Sequence, residues 1–220
     1  MSLPNVIEEC KMIKTVLFQG DSITDARRDR EAPAGYGTAT GCGYATLVAG
    51  KLLAANIGRE FCCINRGISG NRVVDLYARW KTDALNLKPD LLSILVGVND
   101  TWHEFARQNG VELERYEKIY RMLLEWTKAE LPEVRLVLCE PFCLLSELVT
   151  QEWVDEVKQR SVIVKKLAAE FGATFVPLQE MLENAAAKAN DNLKILRDGV
   201  HPTLLGAQLI ADQWLKTVDL

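Results

Sequence analysis

The chain has 220 residues, 48% hydrophobic and 25% charged, which is the balance of an ordinary globular protein able to bury a sizeable core. Its 26 lysines and arginines against 30 aspartates and glutamates give a net charge of −4, so it has no general attraction for nucleic acid or an anionic membrane. The apolar content excludes a disordered chain, and 14 glycines with 7 prolines exclude a collagen-like one.

Short apolar runs alternate with amphipathic stretches. Thr15 to Gln19 is predicted as a first strand, followed by a polar, glycine-rich stretch from Gly20 to Gly43. Tyr44 to Asn56 has helical spacing. Phe61 to Asn65 is a second strand, ending in Gly67-Ile68-Ser69-Gly70-Asn71, and Val73 to Ala84 a short helix. Leu91 to Val96 is a third strand, apolar on both faces as a central parallel strand should be, and Asn99 to Trp102 reads as a polar loop after it. Glu112 to Glu130 is a helix that stops before Pro132. Val134 to Leu138 is a fourth strand, and Glu152 to Phe171 a helix with Gly172 suited to its C-terminal cap. Thr174 to Val176 is a short fifth strand, Leu178 to Ala187 a helix, and Thr203 caps a last helix to about Lys216. One α/β domain over residues 1–220 is expected, a three-layer α/β/α arrangement around a five-stranded parallel sheet. Ligands of such sheets sit outside the carboxyl ends of the strands.

The first nine residues, Met1 to Glu9, lack the apolar core of a signal peptide, and the longest apolar run, Leu91 to Val98, is too short to span a bilayer. The expectation is a cytoplasmic protein. Its six cysteines, Cys10, Cys42, Cys62, Cys63, Cys139 and Cys143, form no CxxC pair and read as reduced, buried thiols. With only His103 and His201 as imidazoles, a zinc site is not expected.

Four segments at strand ends carry candidate chemistry. A histidine base needs a carboxylate on its other ring nitrogen, and Asp198 stands three residues before His201. Asp100 stands at the same spacing before His103, so spacing alone leaves both histidines open. Ser22, on the turn after the first strand, is a cap, a phosphate-holding hydroxyl or a nucleophile; Ser69 is a weaker candidate nucleophile. No G-x-S-x-G elbow is present. Gly70 suits a free backbone donor and Asn99 a side-chain donor to an oxyanion, although each alone also reads as a turn or cap residue.

In order, Gly20-Asp21-Ser22, Gly70 after Asn65-Arg66-Gly67, Gly97-Val98-Asn99-Asp100 and Asp198-x-x-His201-Pro202 resemble the four blocks of the SGNH (GDSL-type) hydrolase superfamily. The resemblance spans residues 16 to about 215. It implies a flavodoxin-like SGNH fold and a Ser-His-Asp acyl-enzyme mechanism that needs no cofactor or metal. Ser22 would be nucleophile, His201 base and Asp198 its orienting carboxylate, with an oxyanion hole from Ser22, Gly70 and Asn99. Gly20 to Asp25, Tyr36-Gly37, Gly43-Tyr44, Arg79-Trp80 and Asn99-Asp100-x-Trp102 look like intracellular acetylxylan esterases, whose substrates are acetylated xylo-oligosaccharides and whose members can be homo-oligomers. Asp21, Trp80 and Trp102 are the expected substrate contacts, and Tyr36, Tyr44, Phe105 and Phe142 lie in or near the loops expected to rim the site. Arg27, Arg28 and Arg30 read as a solvated basic loop, with a contact to an acidic sugar substituent or to a partner chain as the lesser alternative. The rival functions are a lipid or thioester acylhydrolase and a non-catalytic phosphate-binding module.

Overall fold

The computed structural model describes residues 13–33 and 36–220, so Cys10 and the segment read for a signal peptide lie outside the described residues. Strand β1 (Thr15–Gly20) is covered on both faces: Val16 and Phe18 enter one core and Leu17 the other. Period-two geometry requires this of a strand inside a layered sheet. The division repeats in β3 (Leu91–Leu95), where Leu91 and Leu95 join the first core and Leu92 and Ile94 the second. With β2 (Cys62–Asn65), β4 (Arg135–Cys139) and β5 (Thr174–Val176) they form a sheet of order β2-β1-β3-β4-β5, parallel throughout. Every predicted strand is present, with its ends within one residue.

The helices are α1 (Ser22–Asp25), α2 (Tyr44–Ala55), α3 (Val73–Asp83), α4 (Val98–Arg107), α5 (Leu113–Glu130), α6 (Gln151–Glu170), α7 (Gln179–Ala189) and α8 (Leu204–Thr217). Helices α2, α7 and α8 cover the first core, through residues such as Val48, Leu182 and Trp214. Helices α3 and α5 cover the second, through Leu76, Tyr120 and Leu124. Helix α6 contributes Val157 to the first core and Val164 and Leu167 to the second. Ser93, the polar break in the third apolar run, has a partner: its Oγ accepts the Trp214 indole N–H at 3.0 Å. No helix among the described residues is long and apolar enough to cross a membrane.

Three expectations are corrected. The polar loop after β3 is helix α4. Its apolar residues Val98, Trp102 and Phe105 do stand at helical spacing, but the first turn buries Asn99, Asp100 and Thr101, which hides the pattern from a hydrophobic count. Trp80 is fully buried in the second core, where its indole donates to Thr127 Oγ1 at 2.9 Å, so it is not a substrate contact. Of the cysteines, Cys63, Cys139 and Cys143 are buried, and burial pushes each thiol up to about 12. Cys42 is exposed, its thiol donating to the Ala26 carbonyl at 3.1 Å, and Cys62 is half-buried on an edge strand.

The chain runs from β1 outward to β2, then back across to β3. The strand order therefore reverses between β1 and β3, which opens a crevice at their carboxyl ends. Ser22 follows one of these strands and Asn99 the other.

Candidate active site

The turn after β1 is set by Asp21, whose Oδ1 accepts the Ile23 amide at 2.9 Å and caps α1. Ser22 is the first helical residue, with its amide among those a helix leaves free at its start. The turn is tied to the segment after β2. Asn65 Nδ2 donates to the carbonyls of Thr24 (2.6 Å) and Thr40 (2.8 Å). Asp25 Oδ2 accepts the Ser69 amide at 2.9 Å and the Ser69 hydroxyl at 3.0 Å. Gly67 permits this closeness, since a Cβ there would lie 2.3 Å from the Asp25 nitrogen.

Ser22 and His201 are 179 residues apart in sequence, yet Ser22 Oγ lies 2.8 Å from His201 Nε2. His201 Nδ1 lies 2.7 Å from Asp198 Oδ2. Asp198 Oδ1 accepts the amides of Val200 (3.0 Å) and His201 (2.7 Å), which folds the carboxylate back onto the imidazole. Burial alone would push the Asp198 carboxyl up, but these amides and the ring hold it below the usual range. An ionised Asp198 fixes the tautomer. Nδ1 donates to it, and Nε2 is left to accept from the serine hydroxyl.

The rival candidates are placed elsewhere. Ser69 is committed to Asp25. Asp100 does not meet His103; its carboxylate accepts the Val73 amide at 3.0 and 3.3 Å. Burial, then Arg107 and Arg72, hold His103 below its ordinary range.

Gly70 and Asn99 line the same cleft as Ser22 and His201. Gly70 has φ of +83°, a conformation that glycine adopts without strain. Neither its amide nor that of Ser22 donates to a protein acceptor among the described residues. Asn99 spends one amide hydrogen on the Asn71 carbonyl at 3.2 Å, which leaves the other for a ligand. The cleft has a volume of about 660 Å³. Trp102 lines it half-buried, its ring 5.7 Å from that of His201 and 5.6 Å from that of Trp153.

Asp21 is not the substrate contact expected of it. It is 1% exposed, because the capping of α1 turns its carboxylate into the protein. Of the expected rim aromatics, Tyr44 lines the cleft although it is almost wholly buried in the first core, Phe142 is buried in that core, and Phe105 and Tyr36 are exposed but do not line the cleft. The basic loop is divided. Arg28 Nε donates to the Gly67 carbonyl and Arg30 pairs with Asp25, which leaves Arg27 facing the cleft.

The sequence profile of the GDSL-like lipase/acylhydrolase family matches residues 18–209. The chain belongs to this family. It is a carboxylic ester hydrolase of the SGNH type. It is 35% identical over 209 residues to an acetylxylan esterase of Geobacillus stearothermophilus, covering 92% of this chain and 93% of that one. The crystal structure of the Geobacillus esterase Axe2 superposes with a TM-score of 0.84 at 33% identity, over 94% of each chain. A GDSL-like protein of Parabacteroides merdae superposes with a TM-score of 0.89 at 39% identity, over 93% of this chain and 95% of that one.

Two further carboxyls lie behind the cleft of this GDSL-type hydrolase. Burial pushes Asp21 and Asp100 each up to about 7, against the opposing pull of the Ile23 amide on Asp21 and of Arg160 on Asp100. In the unfolded chain an aspartate titrates near about 3.9. Their stabilising difference is therefore complete below about pH 4 and is lost as pH rises through 7. His103, held low, acts with the opposite sign, so the parent protein's own slope mixes the two. Asp100→Asn separates them, because an asparagine oxygen still accepts from Val73. The variant is expected to gain on the parent by a few kcal/mol between pH 5 and pH 8, read as the difference in urea unfolding midpoints. A difference that does not change with pH would show that Asp100 is ionised throughout this range.

Proposed function

We propose that this protein is a serine deacetylase of acetylated sugars, with xylo-oligosaccharides as the substrate class. The observation that carries the reading is the serine–histidine–aspartate relay, with contacts of 2.8 and 2.7 Å, beside Gly70 and Asn99 in one cleft. Catalytic mutants of the Geobacillus acetylxylan esterase replace the same three residue types, serine, aspartate and histidine.

His201 Nε2 takes the proton as Ser22 Oγ attacks the acetyl carbon. The carbonyl oxygen becomes an oxyanion, met by the amides of Ser22 and Gly70 and the free N–H of Asn99. His201 then passes its proton to the leaving sugar oxygen, and the acetyl group stays on Ser22. Water, deprotonated by the same imidazole, attacks this ester, and acetate leaves as Ser22 recovers its proton. Asp198 stabilises the imidazolium in both halves and remains ionised. Trp102 offers the sugar an apolar ring face at the edge of the cleft.

A panel of acyl esters tests the reading. Acetate release from acetylated xylo-oligosaccharides and faster cleavage of acetyl than octanoyl esters are expected, with Ser22 labelled by a fluorophosphonate. A preference for octanoyl esters would make this a lipid acylhydrolase. A Ser22 that a fluorophosphonate does not label would favour the phosphate-binding module. Trp102→Ala is expected to reduce kcat/KM on acetylated xylo-oligosaccharides by about 1–3 kcal/mol, the scale of a large apolar contact, and to reduce p-nitrophenyl acetate cleavage less. Equal losses on both would assign Trp102 to supporting His201 instead.

A further inference from the structure

We infer that the cleft selects acetylated sugars that carry an anionic substituent, through Arg27, Arg107 and Arg197. The inference rests on the deacetylase reading and adds the substrate's charge to it. The chain as a whole is negative, at −4. Yet three arginines line the cleft, and no aspartate or glutamate does so among the described residues. They come from separate places: the end of the α1 turn, the last residue of α4, and the segment just before Asp198. Only the fold brings them around one opening.

These guanidinium groups are also uncommitted. None of the three makes a side-chain hydrogen bond or ion pair among the described residues. Several arginines outside the cleft are paired: Arg72 with Asp75, Arg79 with Asp83, and buried Arg160 with Glu156. Asp198, beside the opening, is occupied by His201 and two amides, and Asp25, which holds Ser69, pairs with Arg30. The starts of α4 and α8 also border the cleft, at Asn99 and Leu204, and add the positive ends of two helices.

Ester hydrolysis does not require these charges. An acetyl ester is neutral, and the oxyanion has three N–H donors of its own. Three free arginines with no acidic counterweight instead suit a carboxylate or phosphate on the sugar, which a guanidinium grips through two parallel N–H bonds. A cleft lined by one sign of charge also concentrates ligands of the opposite sign.

The test compares kcat/KM at low salt for three substrates: a neutral acetylated xylo-oligosaccharide, one bearing a uronic acid, and an acetylated sugar phosphate. At least one anionic substrate is expected to exceed the neutral one by about tenfold, and the margin should shrink with added salt. Which anion gains tells a carboxylate from a phosphate ligand. The triple variant R27Q/R107Q/R197Q should bring the ratio close to one. R27K/R107K/R197K, which keeps the charge but not the paired geometry, should retain part of it. All three side chains are exposed, so the variants are expected to fold. Wild-type protein that cleaves the neutral substrate as fast as both anionic ones overturns the inference and leaves the deacetylase reading standing. A margin that survives the glutamine variant also overturns it. No turnover of any of the three sugars, with Ser22 still labelled by a fluorophosphonate, overturns both.

Discussion

Ser22→Ala and His201→Ala should each lower kcat by roughly 10³–10⁶, and the double variant should lose little more than either alone. The reason is the relay. In the proposed mechanism, removing Ser22 Oγ leaves no atom to form the acyl-enzyme, and removing the imidazole leaves the hydroxyl protonated. Each step is lost whole, so the losses do not add. Steady-state rates on p-nitrophenyl acetate, with circular dichroism to show that the variants fold, measure the effect. Asp198→Asn should cost somewhat less, since the ring stays in place but the tautomer that turns Nε2 toward Ser22 is no longer enforced. Normal turnover by a folded Ser22→Ala variant would move the nucleophile elsewhere, and Ser69 would be the next to test.

Asn99→Ala should lower kcat by about 10²–10³ with KM little changed. In the proposed mechanism the amide hydrogen left over from the Asn71 contact is one of three donors to a charge that exists only as the tetrahedral intermediate forms. A donor of this kind stabilises the transition state more than bound substrate, so its loss shows in kcat. The loop is held in other ways: Asp100 still binds the Val73 amide and Asp25 still binds Ser69. The two remaining donors, at Ser22 and Gly70, should therefore keep their places. A rise in KM with kcat preserved would make Asn99 a ground-state sugar contact and leave the oxyanion to the two backbone amides alone.

The strands were legible in the sequence because a parallel strand buried on both faces must be apolar at nearly every position. The longer helices were legible because each buries one stripe, as α5 does with Tyr116, Tyr120, Leu123 and Leu124. The order of polar, glycine-containing segments at the strand ends also located the site, since a doubly wound sheet brings the ends of its strands to one rim. The strand-end residues by themselves left Ser69 and His103 open; the resemblance of the four segments to the SGNH superfamily then pointed to Ser22, Asp198, His201, Gly70 and Asn99 before any geometry was known.

Other matters depended on packing between segments far apart in the chain. Asp100 and Asp198 stand at the same spacing before a histidine, and local sequence does not distinguish them. The Val73 amide, 27 residues away, takes one carboxylate, and the other is left to His201. Trp80 and Trp102 both read as sugar contacts, with a core position the stronger alternative for Trp80, and packing decides: α3 turns the first into the core against Thr127 and α4 leaves the second at the cleft. The charge of the cleft was hidden for the same reason. Arg27, Arg107 and Arg197 are dispersed through an acidic chain, and a composition adds charges without regard to place. Which side chains share a face, and which find partners, is decided by how the strands pair and the helices dock, because burial and charge act over ångströms in space and not along the sequence.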